Sequence, residues 1–223
     1  MLKRTLQIIG LAIVTSTNAM AGETPKTVVE LFTSQGCSSC PPANRFAGKL
    51  AEDPENLVLS YAVTYWDFLG WKDVFGKQEF TTRQKKYGES LGIGYVYTPQ
   101  IVLNGTDHNS KYKKSVVEDW VLAPSAQRLD LRVVNDELVL ETDAQDVLLV
   151  SYKPGWQKID VKRGENGGRK MKIANVVEDI RKLTSSGPTS VQREAGMAYA
   201  ALIHDPENFQ IIAASVVRPE ISP

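Results

Sequence analysis

A short run of β-branched and aromatic residues, "TVVELFT" (27–33), passes through a turn at Gly36 into "CSSC" and on into a proline-opened stretch, "PPANRFAGKLAED" (41–53). The run reads as a strand. The stretch reads as a helix, because proline costs nothing in a first turn, where its missing N–H would have no partner. Cys37 and Cys40 therefore stand where a strand hands over to a helix. They are the only cysteines in the chain. A ring closed by so short a spacing removes little entropy from the unfolded chain. A protein of this size also buries enough surface to fold without a staple. Function is the better reason for the pair.

At a helix entry, free N–H groups and the positive end of the helix dipole favour a thiolate. The thiolate is the species that attacks a disulfide. Cys37 is the candidate nucleophile. Cys40, about one turn on and on the same side, is the candidate resolving thiol. Ser38 and Ser39 are candidate donors to the sulfur. This reading requires that the Cys37 sulfur be reachable from solvent. A copper(I) pair is an alternative, since two soft thiolates suffice for that ion, and an inert bridge is another. A closed zinc site needs four ligands, and His108 and His204 are far apart in sequence. No cofactor and no resident metal is expected.

Beyond the first helix, strands are expected at 57–63 and 98–105, a short one at 106–108 after the Asn104-Gly105 turn, and helices at 77–92 and 109–123. Asn109 or Ser110 would cap the last helix, with Val116, Val117 and Trp120 on its apolar side. This alternation argues an α/β layer structure. After Pro124-Ser125 the texture changes. Short strands are separated by turn signals at Asn135-Asp136, Pro154-Gly155 and "GENGGR". "MKIANVVEDIRKL" reads as a strand running into a short helix, and a last hairpin turns about Asp205-Pro206. Closely spaced strands argue an antiparallel sheet or sandwich. The expected fold is thus α/β, with an N-terminal domain over residues 22–123 and a C-terminal antiparallel β-rich domain over 124–223.

Residues 1–21 read as a signal peptide. Lys3 and Arg4 precede an apolar run at 6–14 that is too short to span a bilayer, and Ala19-Met20-Ala21 sets the cut after Ala21. A periplasmic or secreted protein is expected. The 26 basic and 26 acidic residues form no basic stripe, so no nucleic-acid partner is expected. No later apolar run is long enough for a membrane span. The expected partners are thiols or disulfides of exported proteins, or a dedicated redox partner; the oligomeric state is open.

Further segments bear on the cysteines. Pro99 in "YTPQIVLNG" opens a strand. A cis Thr98-Pro99 bond beside Cys37 would leave Thr98 backbone groups free to pair with an extended peptide, although trans is the commoner state. Alternation puts Val28, Glu30 and Phe32 on one face. A buried carboxylate holds its proton more tightly, so Glu30 would relay a proton as Cys40 attacks. The alternative is a glutamate at a sheet margin, satisfied by lysine or water. Trp66, Phe68 and Trp71 are costly to expose together; they would floor a substrate groove or plug a core or domain interface. Asp67 and Asp73 are candidate turn caps. "RGENGGR" (163–169) reads as a charged hairpin turn, with anion binding as the alternative.

Strand, "CSSC", helix and a later "TPQ" resemble the thioredoxin superfamily. More narrowly, "VVELFTSQGCSSCPPAN", "YWDFLGWKD", "YTPQIVLNG" and "RGENGGR…NVVEDIRKL" resemble the domain-of-unknown-function 1223 family of secreted bacterial proteins. The resemblance covers nearly the whole chain after residue 21. It implies a thioredoxin-like N-terminal domain with a β-rich extension, and a cis Pro99 packed against the Cys37–Cys40 pair. It implies no substrate. Thiol–disulfide exchange on exported proteins is the leading functional expectation. A non-catalytic binding protein docking a partner at the Pro99 edge and a copper(I) delivery protein are the rivals. Glu30 departs from the superfamily pattern, standing seven residues before Cys37 where that pattern has its buried acid six before.

Overall fold

The computed structural model describes residues 19–184 and 187–219. The expected leader lies outside the described residues up to residue 18. Ala19–Met20 form β1, followed by β2 (Thr27–Thr33), α1 (Cys40–Leu50), β3 (Asn56–Ala62), α2 (Gln78–Ser90), β4 (Gln100–Leu103), β5 (Asp107–Asn109) and α3 (Lys114–Asp119). The second half is strand throughout: β6 (Leu129–Val134), β7 (Glu137–Thr142), β8 (Asp146–Asp160), β9 (Lys170–Thr184), β10 (Thr189–Gln192), β11 (Ala198–His204) and β12 (Ile211–Val217). The fold is mixed α/β, mostly strand, with few helices.

β2 is buried along its whole length, as befits a strand covered on both faces. It pairs in parallel with β3 and antiparallel with β4. Val29 and Leu31 face α1, which offers Ala43, Ala47 and Leu50 at helical spacing. Val28 and Phe32 face α2, against Phe80 and Tyr87. Thr33 and Asn44 tie strand to helix through a buried 2.7 Å hydrogen bond.

The 15-residue strands β8 and β9 form a long antiparallel hairpin. Two expectations are corrected here. Pro154-Gly155 does not end a strand; Gly155 takes φ 74° inside a register shift of β8, so the pair forms a bulge. "MKIANVVEDIRKL" contains no helix, because its full length pairs with β8, and a partner strand overrides helix propensity. α3 is also shorter than expected. Lys113 stands at its N-cap without a side-chain bond, Asn109 belongs to β5, and Val116 is exposed while Val117 is buried.

One sheet runs in the order β12-β11-β8-β9-β3-β2-β4-β5, and β1-β6-β7-β10 form a second. The expected domain boundary falls in the irregular segment between α3 and β6. The sheet continues across it, because β9 pairs in parallel with β3 at Ser60↔Val176. Leu131, Leu138 and Leu140 of the second sheet pack on Leu149, Tyr199 and Ala201 of the first. The β8–β9 hairpin carries its 163–169 loop to the residues just before α1. Among the described residues, no helix is long and apolar enough to cross a membrane.

Candidate functional site

Cys37 and Cys40 form a disulfide, with Cα atoms 5.4 Å apart. Cys40 is the first residue of α1, followed directly by Pro41 and Pro42 in the first turn. The loop before it is held by its own backbone, Cys37 N–H donating to Ser34 O and Cys40 N–H to Cys37 O, both at 3.2 Å. Ser34 Oγ accepts from Gly36 N–H at 3.0 Å. Ser39 Oγ lies 3.4 Å from Cys37 Sγ, as a hydroxyl partner to the sulfur must. The strand–turn–helix handover places the cysteines where the residue pattern puts them.

What surrounds the disulfide comes from farther along the chain. The side-chain amide of Asn166, in the β8–β9 loop, donates to Gln35 O at 2.9 Å and to Cys37 O at 2.8 Å. Glu165 accepts from Ser38 N–H at 3.3 Å. Trp71 Nε1–H donates to Gln35 Oε1 at 2.8 Å. Trp71 in turn packs against Ile159, Val161 and Met171 of the hairpin. Cys37 is consequently 2 % exposed and Cys40 0 %, while Ser38 and Ser39 between them are exposed. The expectation of a reachable Cys37 sulfur is not met in this closed arrangement. The 163–169 loop, read from sequence as a hairpin turn, is that turn, and it also bonds the backbone of the cysteine loop.

Asp73 supports the same loop from below. Its Oδ2 accepts from Gln35 N–H at 2.7 Å and its Oδ1 from Phe75 N–H at 2.9 Å. Burial pushes its carboxyl up to about 6; those two N–H groups oppose the shift, and the nearby Asp67 adds to it. Asp67 Oδ1 accepts from Asp73 N–H at 3.0 Å.

Trp66 joins the cysteine loop to the Thr98-Pro99 segment. Its Nε1–H donates to Thr98 Oγ1 at 2.7 Å, and a Cβ added at Gly36 would lie 2.9 Å from its Cβ. The Thr98-Pro99 bond is cis and Pro99 is buried. Of the three aromatic residues singled out in sequence, Trp66 lines the loop, Trp71 plugs the contact with the hairpin, and Phe68 is 78 % exposed.

Residues 28–205 match a family described as "Protein of unknown function (DUF1223)". The chain belongs to that family. The matched span includes the cysteine loop, the 66–73 segment, Pro99 and Asn166. A similar solved structure, the X-ray crystal structure of protein AGR_C_4864 from Agrobacterium tumefaciens, is 30% identical, with 90% of this chain and 97% of that one covered and a TM-score of 0.70. HBP35 of Porphyromonas gingivalis is alike in fold alone, at 17% identity, TM-score 0.52, and coverage of 90% and 78%. No curated protein matches the chain.

Glu30 is placed elsewhere. It faces α2, on the side of β2 away from α1, and is 0 % exposed. Arg83 grips it bidentately, Nε to Oε1 and Nη2 to Oε2, both at 2.8 Å, and Tyr87 O–H also donates to Oε2. Its partner is thus a buried arginine, where sequence reading weighed a lysine, water or a proton relay. The histidines lie apart from the cysteines. His108 Nδ1 meets Tyr97 Oη at 2.7 Å, and His204 stacks on Phe209 with centroids 4.4 Å apart. Among the described residues no group of three or more His, Cys, Asp or Glu side chains is arranged to hold a metal ion. Sequence reasoning missed Asn166, Gln35 and the loop-supporting role of Asp73. The one signal for Asn166 was its place among glycines, two of which, Gly164 and Gly168, take positive φ.

Proposed function

We propose that this protein carries out thiol–disulfide exchange on exported proteins through Cys37 and Cys40, behind a cap formed by the 163–169 loop. The observation that carries this reading is a disulfide at the start of α1, its two cysteines flanking two exposed serines, in a loop held to the far hairpin by the hydrogen bonds of Glu165 and Asn166. The strand order β3-β2-β4-β5, with α1 leaving β2 beside the cysteines, supports the thioredoxin-like reading of this half. The first 21 residues support export.

In the direction set by a disulfide, a substrate thiolate attacks Cys37 Sγ once Asn166 has let go. The Cys37–Cys40 bond breaks, and Cys40 leaves as a thiolate at the helix start, where the dipole stabilises it. A second substrate thiolate then attacks the mixed disulfide and releases Cys37. The substrate is oxidised by two electrons, and the protein becomes the dithiol, its two thiolates taking protons from solvent.

The burial of Cys37 favours a second reading, an inert bridge. Trapping separates the two. Cys40→Ser, expressed with its leader, should accumulate mixed disulfides through Cys37 with exported proteins, visible as thiol-sensitive adducts. Absence of adducts, together with a wild-type disulfide that resists reduction at equilibrium in glutathione buffers, leaves the inert bridge and sinks the exchange reading.

A further inference from the structure

Away from the cysteines, a cleft of about 990 Å³ opens between α2 and the turn that joins β11 to β12. This is the size range of small-ligand sites. Val147, Leu148, Ile180, Ile203 and Ile212 make its walls apolar. Its inner end is not apolar. Arg83 is 6 % exposed, its guanidinium carbon 5.1 and 5.3 Å from the ring centres of Tyr87 and Phe209, which also pack on each other. Glu30, Tyr87 and His204 occupy Nε and Nη2. Nη1 has no hydrogen-bond partner among the described residues, and Arg83 lines the cleft.

His204 adds a second donor. Arg83 Nη2 lies 3.0 Å from His204 Nε2, so that nitrogen must accept and the ring proton sits on Nδ1. Burial, with Arg83 and Lys86 nearby, keeps the ring neutral by holding its pKa well below the usual histidine value. Lys86 supplies a third donor, its ammonium 4.1 Å from the centre of the Phe209 ring. Phe209 itself is held at φ 63°, a conformation costly for an aromatic residue and common at ligand sites. Arg83, His204 and Lys86 thus all lie against the Phe209 ring at one end of the cleft.

The rim has the opposite sign. Asp143, Asp146 and Asp205 are engaged, by Arg128 N–H at 2.9 Å, Lys182 at 3.0 Å and the N–H of Glu207 at 2.8 Å. Glu79, Glu89 and Glu207 are exposed and have no such partner among the described residues. Such a rim repels a second negative charge. We propose that this cleft is a binding site for a monocarboxylate with an apolar body, its carboxylate received by Arg83 Nη1, His204 Nδ1–H and Lys86, its body lying on the isoleucine wall. No residue of the cysteine site takes part.

Calorimetric titration of the purified full chain with sodium octanoate tests this, with octylamine and octanedioate as the comparison probes. Octanoate should bind at one site and shift the His204 ring resonances. Octylamine and octanedioate should bind at least about tenfold more weakly, the worth of one charge-assisted hydrogen bond. Lys86 is exposed, so its variants should fold; Lys86→Gln should weaken octanoate about tenfold and Lys86→Arg by less than about twofold. The proposal is overturned by no octanoate binding, by octylamine or octanedioate binding as tightly as octanoate, or by Lys86→Gln binding octanoate like the unchanged chain.

Discussion

The side-chain amide of Asn166 donates to the carbonyl oxygen of Cys37 at 2.8 Å, across 129 residues of sequence. The same nitrogen reaches Gln35 O at 2.9 Å. One amide therefore satisfies two carbonyls of the cysteine loop and holds the far hairpin against it. Under the exchange reading, access to the disulfide requires breaking these bonds, and the rate of reduction tests it.

Asn166→Ala leaves Gln35 O without that donor and Cys37 O with the Cys40 N–H alone. Each unsatisfied buried group costs about 1–3 kcal/mol. The same loss lowers the free energy of opening, so reduction by dithiothreitol should quicken at least about tenfold for each 1.4 kcal/mol. A time course of thiol alkylation measures it. An unchanged rate in a folded variant would show that the cap does not limit access.

Asp73 carries a pH signature. Its carboxyl is raised from 3.8 to about 6 in the folded chain. Between those values the folded state holds a proton that the unfolded state has released. Stability from this group is therefore present below the lower value and lost as pH rises to about 6, by at most about 3 kcal/mol. Asp73→Asn lacks this slope. Urea unfolding of both proteins from pH 4 to 7 should show the variant gaining on the wild type by up to that amount, whatever its stability at the starting pH. A constant gap across the range contradicts the assignment.

Glu30→Gln leaves the buried Arg83 charge uncompensated and should cost about 3–5 kcal/mol. Glu30→Leu with Arg83→Met removes both charges and should lie closer to the wild type, because the desolvation penalty goes with them. Denaturant melts of the two proteins decide this; a double variant less stable than Glu30→Gln would refute it.

Gly36 has no room for a side chain. An added Cβ would meet Trp66 Cβ at 2.9 Å and Trp66 O at 3.3 Å, atoms close to the main chain that cannot swing away. Gly36→Ala should cost about 1–3 kcal/mol, as overpacking does, and break the Trp66–Thr98 hydrogen bond. The Trp66 indole N–H resonance reads the second effect, and an unmoved resonance counts against it.

Much of the first half was legible in sequence for local reasons. The β2 run and the prolines opening α1 each lie within one element. The Asn135-Asp136 hairpin was legible too, since both residues take positive φ as such a turn demands. "MKIANVVEDIRKL" reads as a strand running into a short helix; the strand is there, and the helix is not, although its residues suit one taken alone. Only the partner strand β8 makes them extended. Glu30 reads as a buried acid from alternation, yet nothing near it in sequence names Arg83 as its partner.

Taken by itself, the sequence determined the handover from strand to helix at Cys37–Cys40, since propensity, proline placement and periodicity act between near neighbours. The tertiary structure decided whether those sulfurs meet solvent, where Glu30 finds its counter-charge, and that Arg83, His204 and Phe209 share one cleft. Such facts depend on which distant segments the sheet brings together, and a hydrogen bond between residues more than a hundred apart leaves no local pattern to read.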